Sequence, residues 1–96
     1  MTELEIKFPI NLNSEEIILR FEQAVNETSL SIKSRGTLKT IPGSVHWHIV
    51  DATKKGTLEA TYCPNKKRLT LSFRDNHYGD WIDDAIVKIK KLLESE

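Results

Sequence analysis

Apolar and polar residues alternate with a period of two near the start of the chain and again through its middle. Near the amino terminus, charged residues separate Leu4, Ile6 and Phe8, a pattern that predicts a strand with one buried face. Four further strand-like segments follow between residues 30 and 74, with turn residues between them: Pro42-Gly43, Lys54-Lys55-Gly56 and Pro64-Asn65. Consecutive hairpins of this kind predict an antiparallel meander.

Two other segments have the 3.6-residue period of amphipathic helices. In the first, an arc of about 120° contains Ile17, Ile18, Phe21, Ala24, Val25 and Thr28, and Leu19 lies outside it. Asn13 and Glu16 have the spacing of a capping box. In the second, an arc of about 140° contains Trp81, Ile82, Ala85, Ile86, Ile89, Leu92 and Leu93, and Val87 lies outside it. Acidic residues lie in its first turns and lysines near its end, an order that complements the helix dipole.

The predicted element order is therefore strand, helix, four strands, helix. If the first helix crosses back over the sheet, the last strand runs antiparallel to the first and can pair beside it. The sequence predicts one α+β domain over residues 1–96, β-α-β-β-β-β-α, with a five-stranded antiparallel sheet in the order 1-5-4-3-2 and both helices on one face. Its predicted core contains Ile6, Phe8, Phe21, Val25, Ile32, Trp47, Ile49, Leu58, Tyr62, Leu71, Phe73, Ile82, Ile86, Ile89 and Leu93.

This element order resembles that of each half of the TATA-box-binding protein and that of helix-grip ligand-binding domains. The part after the first strand is similar to the double-stranded RNA-binding domain. The resemblance is one of topology, since the chain carries no sequence motif of these families. It implies a fold, and no functional residue is transferred from it.

Composition sets the broad class of the protein. Its 96 residues are 39% apolar and 29% charged, and no apolar run exceeds three residues; a membrane-spanning helix needs about 20. No membrane association is predicted. Glu3 and Glu5 stand where a secretory signal would carry basic residues, so the expected compartment is the cytoplasm. The single cysteine, Cys63, excludes an intramolecular disulfide and four-cysteine zinc sites.

A net charge of zero conceals an uneven distribution. Residues 1–32 hold two basic and six acidic residues, residues 33–74 nine and two, and residues 75–96 three and six. Alternation assigns much of the basic middle to the sheet face that the helices leave open, with one acid, Glu59. Seven residues there are candidate contacts to nucleic-acid phosphates: Lys33, Arg35, Lys39, His46, His48, Arg68 and Arg74. A solvated polar face explains the same pattern. The aromatic residues that would stack on bases point to the core, which counts against binding of single-stranded nucleic acid.

His46 and His48 lie two residues apart on one predicted strand, so that both imidazoles project from the same face, as two zinc ligands on a strand do. Glu59 and Cys63 share that face on the neighbouring strand and offer a third ligand. Surface histidines account for the spacing as well, and an open face buries no supporting shell. The sequence therefore favours no metal and no cofactor.

The remaining candidates favour structural roles. Asp80 and Asp84, one helical turn apart, suit capping and the helix dipole better than a cation site, and His77 and Tyr78 suit a turn anchored by Trp81. Neither a phosphate-binding glycine loop nor a hydrolase motif is present, so a binding module is predicted rather than an enzyme. The alternatives are a protein-interaction module that uses the sheet face or edge strands, and a small-ligand binder with a pocket between the sheet and the carboxy-terminal helix.

Overall fold

The computed structural model describes residues 2–95, which form five strands and two α-helices. The strands are β1 (Thr2–Ile6), β2 (Ser31–Gly36), β3 (Val45–Val50), β4 (Leu58–Cys63) and β5 (Arg68–Phe73), and the helices are α1 (Ser14–Glu27) and α2 (Trp81–Glu94). All neighbouring strands pair antiparallel in the order β1-β5-β4-β3-β2. The predicted α+β fold and strand order are confirmed. Neither helix within residues 2–95 has the length and apolar character needed to cross a bilayer.

The helix cap and the turn predicted from the sequence are both present in the structure. At the start of α1, Asn13 Oδ1 accepts a hydrogen bond from the Glu16 amide at 2.9 Å, and the Glu16 carboxylate accepts one from the Asn13 amide at 3.2 Å. This capping box satisfies two amides that the helix end leaves free. After β2, Gly43 has a φ of +79° and the Ser44 amide donates to the Ile41 carbonyl at 3.1 Å. These are the features of a type II turn, at the position where Pro42-Gly43 predicts a turn.

Both helices pack on one face of the sheet and bury its apolar row. Phe21 of α1 lies against Trp47 of β3 with ring centroids 4.5 Å apart, and neither side chain has exposed surface. Fourteen of the fifteen predicted core residues are buried or pack, partly buried, against this cluster. Burial of this apolar surface is the main favourable contribution to folding.

Ile32 is the exception, because it is 37% exposed. It lies in β2, an edge strand with all six residues exposed, and the pairing of β2 with β3 shifts between Ile32 and Ser34. Lys33 is the extra residue of this β-bulge, and from Ser34 onward each side chain of β2 faces the side opposite to the one that simple alternation predicts.

The connection between β5 and α2 is a turn that fixes the start of the helix, as predicted. Trp81 Nε1 donates to the Lys55 carbonyl at 2.6 Å, and the Tyr78 hydroxyl donates to the Asp83 carboxylate at 2.5 Å. A Cβ atom at Gly79 would collide with the Lys55 carbonyl oxygen. Only glycine allows the two chain segments to approach this closely.

Acidic residues in the first turn of α2 make interactions that favour the helix. Asp84 pairs with Lys88 one turn later at 3.0 Å, and its position near the helix start suits the dipole. Asp80 precedes the helix, but its side chain makes no capping hydrogen bond. The predicted capping role of Asp80 is therefore wrong, because its backbone is already helical there (φ −58°, ψ −29°), whereas a capping residue has an extended backbone.

Candidate metal site on the open sheet face

The face of the sheet opposite the helices, called the open face below, carries side chains in rows that the strand register sets. One row crosses all five strands through Glu3, Ser72, Glu59, His48 and Ser34. The next row passes through Glu5, Thr70, Thr61, His46 and Gly36. Two histidines of β3 thus stand beside a carboxylate and a hydroxyl of β4.

The seven residues predicted to contact nucleic acid do not all share this face. Four of them do: His46, His48, Arg68 and Arg74. Lys33 is the bulge residue of β2, and Lys39 is exposed in the turn after that strand. Arg35 lies on the helix side, opposite Trp47, with its Nη1 2.8 Å from Glu22 Oε2 of α1. The assignment of Arg35 to the open face is therefore wrong, because the bulge reverses the alternation.

The open face is also less basic than predicted. Because β1 lies beside β5, Glu3 and Glu5 join Glu59 on this face, and the expectation of a single acid is wrong. Arg68 lies 3.5 Å from Glu3 and 3.3 Å from Glu5, and Arg74 Nε lies 3.3 Å from Glu59 Oε2. The two pairs of Arg68 join exposed side chains and contribute little stability. They do offset the positive charge that would attract a phosphate backbone.

Two imidazoles surround one carboxylate near the middle of the open face. Glu59 is 5% exposed, although it faces away from the apolar core. Its Oε1 lies 3.1 Å from His46 Nε2 and 3.6 Å from His48 Nε2. The ligand-type atoms of the three residues all lie within 4.8 Å of one another. We call His46, His48 and Glu59 the triad.

Two neighbouring side chains, Thr61 and Arg74, contact residues of the triad and orient them. His46 Nδ1 lies 2.8 Å from Thr61 Oγ1, which is within hydrogen-bond distance. Arg74 contacts Glu59 Oε2, so that Oε1 remains directed at the imidazoles. Outer contacts to the second nitrogen of a histidine and the second oxygen of a carboxylate orient the ligands in metal sites.

Two of the three separations between ligand atoms in the triad are close to those around a tetrahedral metal ion. Zinc bonds to nitrogen and oxygen at about 2.0–2.2 Å, and a tetrahedral angle then places neighbouring ligand atoms about 3.3–3.6 Å apart. The two distances to Glu59 Oε1, 3.1 and 3.6 Å, are close to this range. A hydrogen bond from His46 Nε2 to Glu59 Oε1 would explain the shorter contact without a metal. A metal titration distinguishes these two interpretations.

An ion has access to the triad from solvent. The side chains of His48 and His46 are 42% and 21% exposed. Three protein ligands leave one position of a tetrahedral ion for water or another ligand, the arrangement of zinc sites that bind exogenous groups.

The sequence identified the two histidines and named Glu59 and Cys63 as possible third ligands. The register selects Glu59, because it pairs with His48 across β3 and β4. Cys63 lies opposite Arg68 and is not part of the triad. The register between β3 and β4 depends on the conformation of the loop that joins them, which the sequence pattern does not give. From the sequence alone, surface histidines were therefore the favoured interpretation.

Comparison of the chain with protein-family models, with curated proteins and with solved structures finds no match. The functional interpretation therefore rests on the geometry of the open face.

Proposed function

We propose that this protein is a binding module that holds one divalent transition-metal ion of the zinc type on the open face of its sheet. The observation that carries the proposal is the convergence of His46, His48 and Glu59, whose ligand atoms lie within 4.8 Å of one another. Two imidazoles and a carboxylate suit zinc, copper or nickel, whereas magnesium and calcium prefer oxygen ligands. The proposed role is binding, and no catalytic step is assigned.

The environment of Glu59 supports a cation between it and His46. A carboxylate that is 5% exposed needs compensating charge or hydrogen bonds. Arg74 supplies a positive charge to Oε2 at 3.3 Å, and Oε1 faces the imidazoles. The roles of the two His46 nitrogens depend on the tautomer. When Nε2 carries the proton, it donates to Glu59 Oε1 at 3.1 Å without a metal; when Nδ1 carries the proton and donates to Thr61, the lone pair of Nε2 faces Glu59 Oε1 and both atoms can bind a metal ion. The same tautomer is the one in which histidine usually binds metals through Nε2.

The other functions considered from the sequence stay predictions. The packing does not favour a ligand pocket between the sheet and α2, because Trp47 and Tyr62 have no exposed surface and Trp81 is 7% exposed. Strand addition by a protein partner has a physical basis at β2, an exposed edge with unpaired backbone groups. The ion pairs of the open face offset much of the positive charge on which nucleic-acid binding there would depend.

Calorimetric titration with zinc chloride tests the proposal. We expect one zinc ion per wild-type chain and an affinity at least about tenfold lower for His48→Ala, because one of three ligands is removed. The His48 side chain is 42% exposed, so this substitution leaves the core intact. His77→Ala is the matched control, since His77 is an exposed histidine outside the triad. It should bind zinc as the wild type does.

Glu59→Gln provides a second variant, because it keeps the size of the side chain and removes the negative charge. Its zinc affinity should fall as that of His48→Ala does. Circular dichroism of each variant before titration establishes that it is folded. A wild type that binds no zinc, or a folded His48→Ala protein that binds zinc as tightly as the wild type, would refute the proposal.

A further inference from the structure

We infer that the metal-loaded triad binds a phosphate group, with one phosphate oxygen in the open coordination position and the guanidinium of Arg74 beside it. This inference rests on the proposed metal site. It concerns the ligand that the bound metal takes, and four features of the open face support it.

The first feature is the change in local charge when the metal binds. Without metal, the charges of Glu59 and Arg74 cancel at a distance of 3.3 Å, and Arg68 lies between the two acids Glu3 and Glu5. A divalent ion bound by two neutral imidazoles and Glu59 adds two positive charges to this balance. The charge of the triad and Arg74 together therefore changes from zero to plus two, while Arg68 with Glu3 and Glu5 stays at minus one. An anion becomes the electrostatically favoured fourth ligand of the metal.

The second feature is the position of Arg74. Its side chain is 57% exposed and contacts Glu59 through Nε. A guanidinium has two further nitrogens, which can bind a pair of phosphate oxygens. Because Arg74 and the metal would share the two oxygens of one carboxylate, an anion on the metal lies within reach of Arg74.

The third feature is the space above the imidazoles. On β2 the neighbours of His48 and His46 are Ser34 and Gly36, two of the smallest residues. A Cβ atom added at Gly36 would have no atom within 4 Å. The bulge produces this arrangement, since without the shift Lys33 and Arg35 would occupy open-face positions of β2. The short side chain of Ser34 and the absence of one at Gly36 leave no long side chain of β2 beside the imidazoles at these two positions.

The fourth feature is the pair of lysines near that edge. Lys33 at the bulge and Lys39 in the following turn are both exposed. A phosphate monoester needs only the metal and Arg74, whereas a nucleic-acid strand would extend from the metal towards these lysines. Lys33 is therefore expected to contribute to the binding of a nucleic-acid strand and not to the binding of a phosphate monoester.

The experiment measures amide chemical shifts of labelled full-length protein, with zinc at saturation and without zinc. One series adds phenyl phosphate and the other a mixed-sequence single-stranded oligonucleotide. We expect phenyl phosphate to bind the zinc form at least about tenfold more tightly than the zinc-free form, because two unbalanced positive charges act at close range. The largest shifts should lie in residues 34–36, 46–48 and 74.

Variants separate the contributions. Arg74→Gln, examined at zinc saturation, should weaken phenyl phosphate binding several-fold. Lys91→Gln is the matched control, because Lys91 is an exposed positive charge on α2, on the other side of the sheet. Zinc-dependent oligonucleotide binding that weakens in Lys33→Gln would identify a nucleic-acid backbone as the source of the phosphate. Zinc-dependent binding of phenyl phosphate without the oligonucleotide would identify a small phosphate ester. Either result supports the phosphate site.

Equal affinity for phosphate with and without zinc, or no binding in either state, would overturn the inference. Oligonucleotide binding that is independent of zinc would also overturn it. Calorimetry with zinc alone distinguishes these failures from a failure of the metal site, because zinc binding persists in the former and is lost in the latter.

Discussion

Replacing Trp47 with alanine should cost about 4 kcal/mol of unfolding free energy. Its side chain has no exposed surface and packs against Phe21. A buried tryptophan removes about 150–250 Å² from water, which at about 25 cal/mol per Å² corresponds to roughly 4–6 kcal/mol as an upper estimate. Truncations of this kind cost about 3–5 kcal/mol. A chain of this length has a total stability of roughly 5–14 kcal/mol, so this single change approaches the lower limit.

The hydrogen bond of Trp47 contributes a smaller part. Its Nε1 donates to Glu22 Oε2 at 2.9 Å, and Arg35 contacts the same oxygen at 2.8 Å. Trp47→Phe removes this donor and leaves Glu22 paired with Arg35, so no buried acceptor loses its last partner. We expect Trp47→Phe to cost about 1–2 kcal/mol, from one hydrogen bond and a smaller ring.

Urea unfolding followed by circular dichroism measures these differences without depending on tryptophan fluorescence. Val87→Ala is the control, because Val87 is apolar but 63% exposed, and it should change stability by less than about 0.5 kcal/mol. A Trp47→Ala protein that lost less than about 1 kcal/mol would refute the placement of Trp47 beneath α1 and the face assignment of β3.

Two further predictions test other parts of the fold. Contacts with the Lys90 side chain, at 2.6 Å, and with the Lys7 backbone amide, at 2.7 Å, lower the pKa of Glu94 below its ordinary value of 4.5. The ionised form is therefore favoured in the folded state, and its contribution to stability is present above pH 4.5 and lost as the pH falls through the lower, folded-state pKa. Urea unfolding at a series of pH values measures this effect. The free energy of unfolding of Glu94→Gln should fall less steeply below pH 4.5 than that of the wild type, and an unchanged fall would contradict this role. Ile32→Ala should cost less than about 1 kcal/mol and Ile49→Ala about 2–5 kcal/mol; equal costs would contradict the exposed edge position of Ile32.

Most of the fold was predictable because its determinants are local. The capping box of Asn13 and Glu16, the turn at Gly43 and the alternation through β3, β4 and β5 each depend on residues close together in the chain. The strand order followed from topological rules that exclude most alternatives. Leu19 and Val87, the two apolar residues outside the predicted helix faces, are exposed at 57% and 63%.

The candidate site was only partly predictable. Alternation placed His46, His48 and Glu59 on one face, but it gave no distance between strands. The approach of two imidazoles to Glu59 Oε1, at 3.1 and 3.6 Å, requires the pairing of His48 with Glu59. A shift of two residues would preserve every face assignment and separate these atoms, so hydrophobic patterning cannot distinguish the two registers.

The sequence by itself determined the secondary structure, the strand order and the apolar side of the sheet, because burial of apolar residues with a period of two or 3.6 dominates the free energy of folding. Tertiary structure alone decided the charge of the open face. The bulge at Lys33 directs Arg35 to Glu22, and the docking of β1 beside β5 places Glu3 and Glu5 around Arg68. Polar contacts on an exposed sheet face contribute little to stability. Their arrangement is therefore set by the register that the core imposes, and it becomes visible only when all five strands are in place.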